Sequence, residues 1–197
     1  MVIADDFAWA HLPKAAGTAT QDMFRAVPGL IAFQVPIDSN DKHDPFWKYG
    51  EAIEGKLTVM NIRRLPAWVL SSAHHRATMG VWPDYTPQPM QSVEEMVASS
   101  RPDDILRWMT DGPRIPVDRW LRQEHLTDDV ADLLIEVGVE PEAARSAVRS
   151  VPFLAKPYDH DLVSTFSPAD VETMYDRNPG WAEIERLVYG GVHELIA

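Results

Sequence analysis

Residues Pro13 to Thr20 read PKAAGTAT, between a short apolar run and a segment with helical spacing. The small residues Ala15, Ala16 and Gly17 let the backbone approach a ligand closely. A helix starting there leaves the amides of Gly17, Thr18, Ala19 and Thr20 unpaired at its N-terminus, where the helix dipole favours an anion. Lys14 adds a full positive charge, and the Thr18 and Thr20 hydroxyls add further donors. This is the chemistry of a phosphate cradle, although the lysine precedes the glycine and no GK[ST] follows, so the Walker pattern is absent. Taken alone, a plain turn at Gly17 beside a solvated lysine explains these residues equally well. A second group shifts that balance. Arg64 closes a β-branched apolar run, and Ser72 lies eight residues on, about two turns into the next helix, so both can close on one anion. Two anion sites at adjacent strand ends point to a ligand with phosphates at both its ends.

The elements that must hold these groups follow from the pattern. FAWAHL (7–12) reads as a buried strand, TATQDMFRAV (18–27) as a helix with Ala19, Met23 and Ala26 or Val27 on one face, and LIAFQV (30–35) as a second strand. KLTVMNI (56–62) is the strongest strand of the sequence. The helix after it carries Pro66 in its first turn and ends at Gly80. VWPDYTPQPM (81–90) reads as a surface loop, with short helices at 92–99 and 102–110, and 117–124 as a further strand. Thr127 is placed as the cap of a helix over 127–138, and Ser167 as the cap of one over 167–178 with Pro168 at its first position. Strands alternating with helices predict an α/β fold, a central parallel sheet in a three-layer α/β/α arrangement, forming one domain over 1–197. Ligands of such folds bind at the carboxyl ends of the strands, where Lys14 and Arg64 lie.

Composition limits the partners. The 197 residues carry a formal net charge of −12, with 45% hydrophobic and 24% charged residues and no cysteine. That balance suits a globular protein, excludes disulfides and thiolate metal sites, and argues against nucleic acid or an anionic membrane as partner. No segment approaches the ~18 apolar residues of a membrane span, and the first ten residues lack a signal-peptide pattern, so the expectation is a cytoplasmic protein. His74 and His75 stand side by side, but no HExxH or comparable spacing exists, and no metal is expected.

HLPKAAGTAT resembles the 5′-phosphosulfate loop of the sulfotransferases that use 3′-phosphoadenosine 5′-phosphosulfate (PAPS): a strand ending in Pro-Lys, a glycine and a Thr/Ser pair. IRRLPAWVLSSA is similar to that family's 3′-phosphate motif, with Arg64, Pro66 and Ser72 at the matching positions. WLRQEHLTDDVADLLIEVG and FSPADVETMYDRN resemble further segments of the bacterial and Golgi-type branches, with His125 where Asn is usual. Ala19 stands where Ser is common, and Val69 where Golgi-type members carry Arg. The resemblance implies a P-loop NTPase-like sulfotransferase fold, PAPS as the donor, and a hydroxyl or amine of a small molecule or carbohydrate as the acceptor. It leaves oligomerisation of the chain with itself open.

Sulfuryl transfer needs an in-line acceptor, charge stabilisation and a base. Lys14 is the candidate for the bridging oxygen, with Ala15, Ala16, Gly17, Thr18, Ala19 and Thr20 around the 5′-phosphate and Arg64 and Ser72 at the 3′-phosphate. His43, in the loop before the strong strand, is the candidate base, because its ordinary pKa of ~6.5 suits proton abstraction near neutrality and its position resembles that of the histidine in several branches. Glu51 is the alternative base. Trp47 and Trp82 lie in loops that could face the acceptor or the adenine. Two other readings stay open: a nucleotide-binding or interaction protein on the same scaffold without catalysis, and a P-loop kinase, against which the missing GK[ST] counts.

Overall fold

The computed structural model describes the chain except residues 37, 80–85, 111–115, 153–157 and 195–197. The expected helix end at Gly80, the first half of the proline-rich loop and Trp82 lie outside the described residues. The strands are β1 (Val2–Ala4), β2 (Phe7–Ala10), β3 (Ile31–Gln34), β4 (Leu57–Ile62) and β5 (Arg119–Arg122). The helices are α1 (Gly17–Arg25), α2 (Leu65–Met79), α3 (Val93–Ser99), α4 (Pro102–Thr110), α5 (Leu126–Glu136), α6 (Pro141–Ser150), α7 (Leu162–Thr165), α8 (Pro168–Arg177) and α9 (Pro179–Tyr189). The chain divides into two compact units, Met1–Ile62 with Leu106–Ala155, and Arg63–Ile105 with Lys156–Ala197.

The first unit is a mixed α/β structure whose sheet has the order β3-β1-β2-β4-β5. β2, β4 and β5 run parallel, Trp9 opposite Val59 and Asn61 opposite Leu121. The expectation of a wholly parallel sheet is corrected by β1, which pairs antiparallel with both β2 and β3. Only Asp5 and Asp6 separate β1 from β2, and so short a connection can make a hairpin but never a parallel crossover. β4 is buried from Thr58 to Ile62, as its mainly apolar, β-branched run leads one to expect of a strand covered on both faces. Trp9, Val59 and Leu121 from the strands meet Phe24 of α1, Val130 and Leu133 of α5, and Val148 of α6 in one core. On α1 the buried side chains are Thr20, Gln21, Met23 and Phe24, whereas Ala19 of the expected face is only partly buried. α5 starts at Leu126 with His125 at its cap position, so Thr127 is inside the helix rather than capping it.

In the second unit, α3 and α8 carry complete capping boxes, Ser92 with Glu95 and Ser167 with Asp170. Asp103 accepts the Gly180 and Trp181 amides at 2.8 and 2.7 Å, capping α9 from a neighbouring segment. Asn178, fully buried, donates to Met174 O at 2.9 Å and to Ser100 Oγ at 3.2 Å. No helix among the described residues is long and apolar enough to cross a membrane.

Candidate functional site

β2 ends at Ala10 and α1 begins at Gly17, so His11 to Ala16 form the loop at the carboxyl end of a parallel strand. Two residues of this loop, Lys14 and Ala16, hold φ of +64°, a conformation that costs a non-glycine residue on the order of 1 kcal/mol. Ala16, left-handed at the N-cap, makes no side-chain cap. The first backbone bond of the helix runs from Thr20 N–H to Ala16 O at 3.1 Å, so the Gly17, Thr18 and Ala19 amides precede the intrahelical ladder. These amides, the half-buried Lys14 and the exposed Thr18 are the groups the sequence pattern assigns to a phosphate cradle. Ala15 is fully buried and anchors the loop.

Gly17 is required by space rather than by backbone angle. A Cβ built there would stand 1.9 Å from His11 Cδ2 and 2.0 Å from His11 Nε2. The His11 imidazole therefore lies directly on the first turn of α1. It also stacks on Trp9, with centroids 5.3 Å apart, and meets the His43 ring edge-on at 4.5 Å.

A buried polar chain ties the loop to the sheet. Trp9 Nε1 donates to Asn61 Oδ1 at 2.6 Å, Asn61 Nδ2 donates to Thr20 Oγ1 at 2.8 Å, and Thr20 Oγ1 donates to Ala16 O at 3.2 Å. Trp9, Thr20 and Asn61 are each wholly inaccessible. The Thr20 hydroxyl, expected from the sequence as a ligand donor, is thus committed inside the fold, and of the two threonines only Thr18 is exposed.

His43 comes to the same loop. Its Nδ1 is 2.8 Å from the His11 carbonyl oxygen, from the 3-10 turn Asn40–His43. Burial lowers its pKa to about 4; the bond to His11 opposes this, and Lys42, the Met1 amino group and Lys14 add to it. The pKa of His11 also falls, chiefly through burial and then through His43 and the same cations. Its Nδ1 is buried with no hydrogen-bond partner among the described residues. The alternative base, Glu51, is exposed in the 3-10 turn Gly50–Ile53. Trp47, 40% exposed, donates to Trp108 O at 3.2 Å.

In the other unit, Arg64 and Ser72 stand before and within α2, and Pro66 is in its first turn as the sequence predicts. Ser72 is half-buried. Arg64 Nη1 contacts Glu185 Oε2 at 3.0 Å and the Gly191 carbonyl, and its guanidinium lies 3.9 Å over the Tyr189 ring. Glu185 is wholly inaccessible; its Oε1 accepts the Leu65 amide at 2.6 Å and its Oε2 accepts the Tyr175 hydroxyl at 3.0 Å. Burial raises the Glu185 pKa, opposed by Arg64, the Leu65 amide and Tyr175. The N-terminus of α2 therefore already holds an anion, the chain's own carboxylate. His74 stacks on Tyr158 at 4.1 Å, and Tyr158 in turn lies 4.0 Å from His160.

Three residues of these sites escape a sequence reading. Asn61 carries a signal, a polar residue within an otherwise apolar central strand, which burial forces into a hydrogen-bond network. The approach of His11 to Gly17 has no signature in spacing. Glu185 lies 120 residues beyond Leu65 and nothing local connects them. No family model matches the chain, and no match is found among curated proteins or solved structures.

Proposed function

We propose that this protein is a PAPS-dependent sulfotransferase with a P-loop NTPase-like fold, transferring a sulfuryl group to a hydroxyl or amine of a small-molecule or carbohydrate acceptor. The observation that carries the proposal is the His11–Thr20 loop: a parallel strand end, two left-handed non-glycine residues, and amides of a helix N-terminus beside Lys14. The donor set fits the 5′ end of such a ligand, because backbone amides and a lysine together satisfy phosphate oxygens without a metal.

In transfer, the bond between sulfur and the bridging oxygen breaks as sulfur bonds the acceptor oxygen or nitrogen, and the acceptor proton goes to a base. Lys14 neutralises charge at the bridging oxygen, and the Gly17, Thr18 and Ala19 amides hold the 5′-phosphate. His43 takes the proton. It is neutral at pH 7, and a bound anion raises its proton affinity by opposing the burial and the cations that lower it. Arg64 and Ser72 are assigned to the 3′-phosphate on the sequence pattern.

One observation favours a second reading. Arg64 is already paired with Glu185, so a site that recognises only the 5′ end, as in a nucleotide-binding protein without transfer activity, is the competing proposal. Incubation with PAPS and a panel of phenols, sugars and amines separates the two. The sulfotransferase reading expects acceptor-dependent release of 3′,5′-adenosine bisphosphate that Lys14→Ala lowers at least about a hundredfold, the loss of one transition-state charge partner. Binding of PAPS with no release across the panel supports the second reading.

A further inference from the structure

We infer that His11 is a positioning residue, whose carbonyl fixes His43 as the Nδ1–H tautomer and whose imidazole, seated on Gly17, couples that histidine to the anion-binding turn of α1. A carbonyl oxygen can only accept, so at 2.8 Å the His43 Nδ1 carries the proton and Nε2 is left as the basic nitrogen. The carbonyl is held in place because the ring of the same residue is enclosed: Trp9 stacks on it, Gly17 lies under its Cδ2–Nε2 edge, and His43 meets it edge-on. A purely structural role explains this poorly. An apolar ring would fill the space without burying an Nδ1 that has no partner among the described residues, and such atoms in native structures ask for a role.

The coupling follows from who surrounds the pair. From the strand end comes His11 itself, from the loop Lys14, from the N-terminal strand the Met1 amino group, and from the 3-10 turn Lys42, flanked by Asp41 and Asp44. Lys14, Lys42 and the amino group all disfavour a proton on His43, so an anion seated at the α1 N-terminus makes one easier to hold. Anion binding and proton uptake at His43 are therefore linked. This second part rests on the anion-binding reading of the loop, whereas the tautomer does not.

Long-range proton–nitrogen NMR on protein labelled at histidine nitrogens reads both. At pH 7 the unliganded protein is expected to show His43 as a single Nδ1–H tautomer; an Nε2–H or mixed pattern overturns the inference. His11→Phe, which keeps an aromatic ring on Trp9, preserves that pattern. His11→Ala, which empties the space, converts it to a mixture, and an unchanged pattern in His11→Ala refutes the positioning role. Saturation with 3′,5′-adenosine bisphosphate should raise the His43 titration midpoint by about one pH unit or more, as a neighbouring negative charge does. A bound bisphosphate with an unmoved midpoint refutes the coupling. Failure of the bisphosphate to bind refutes the linkage together with the proposed function and leaves the tautomer result standing.

Discussion

Replacing Gly17 by alanine tests whether His11 is packed as described. The new Cβ falls 1.9 Å from His11 Cδ2, where ordinary contact begins at 3.4 Å, so the ring must retreat by about 1.5 Å. Its retreat is blocked on two sides, by Trp9 stacked on it at 5.3 Å and by His43 edge-on at 4.5 Å. Overpacking of this kind costs about 1–3 kcal/mol, and disturbing the His43 bond to the His11 carbonyl adds about 1 kcal/mol. The helix propensity gained by alanine offsets at most about 1 kcal/mol. Gly17→Ala is therefore expected to lose about 2–3 kcal/mol in urea denaturation. His11→Ala on its own is destabilising, but it makes the space the new methyl needs. The double variant should be no less stable than His11→Ala alone, giving a coupling energy of about 2–3 kcal/mol in the cycle. A Gly17→Ala cost below about 0.5 kcal/mol, or two effects that simply add, would refute the packing argument.

Other outcomes follow from the same geometry. The folded protein binds a proton at His43 only near pH 4, whereas the unfolded chain does so near 6.5, so the stability this group protects is full above about pH 6.5 and is lost as pH falls toward 4. The loss amounts to about 3 kcal/mol, to which His11 adds in the same direction, and His43→Gln should flatten that limb of a pH series of denaturation curves. Asn61→Ala leaves Trp9 Nε1 and the Thr20 hydroxyl without their buried partner and should cost about 2–4 kcal/mol by urea titration, while Thr18→Ala at the exposed position of the same helix should cost under about 1 kcal/mol. Glu185→Gln strips the charge that faces Arg64 and should cost about 3 kcal/mol, the lower end for a buried pair because Arg64 keeps 21% exposure; a neutral result would mean that the Leu65 amide and Tyr175 hold this site without the charge.

The parts of the fold legible in the sequence are those set by local pattern. KLTVMNI is apolar on both faces and becomes the central strand β4; Ser167 with Pro168 and Asp170 makes the α8 cap it spells. β1 was not legible because three residues are too few to show a period, and the antiparallel pairing it brings depends on partners at both its edges. α6 and α9 begin at Pro141 and Pro179, and both escaped the reading, although Pro at a first helical position is a start signal. At the site, the sequence indicates that a loop, a lysine and a helix N-terminus come together, because these are neighbours in the chain. It does not indicate which hydroxyl the core absorbs. Thr18 and Thr20 look alike in sequence, and only the position of Asn61 across from α1 makes one an internal partner and leaves the other exposed. The engagement of Arg64 with Glu185 is a contact across 121 residues and has no local signature.

The proposed anion site in the turn after β2, for a nucleotide bearing phosphates at both ends, is probed by thermal unfolding with 3′,5′-adenosine bisphosphate, ADP and ATP in parallel. A ligand that binds only the folded protein at a hundred times its Kd stabilises it by about 2.7 kcal/mol, which for a chain of this size is a rise of about 5 °C or more. Such a rise is expected with the bisphosphate, a smaller one with ADP, and its loss in Lys14→Ala. Stabilisation by ATP with none by the bisphosphate, or an equal response in Lys14→Ala, would contradict the proposed site.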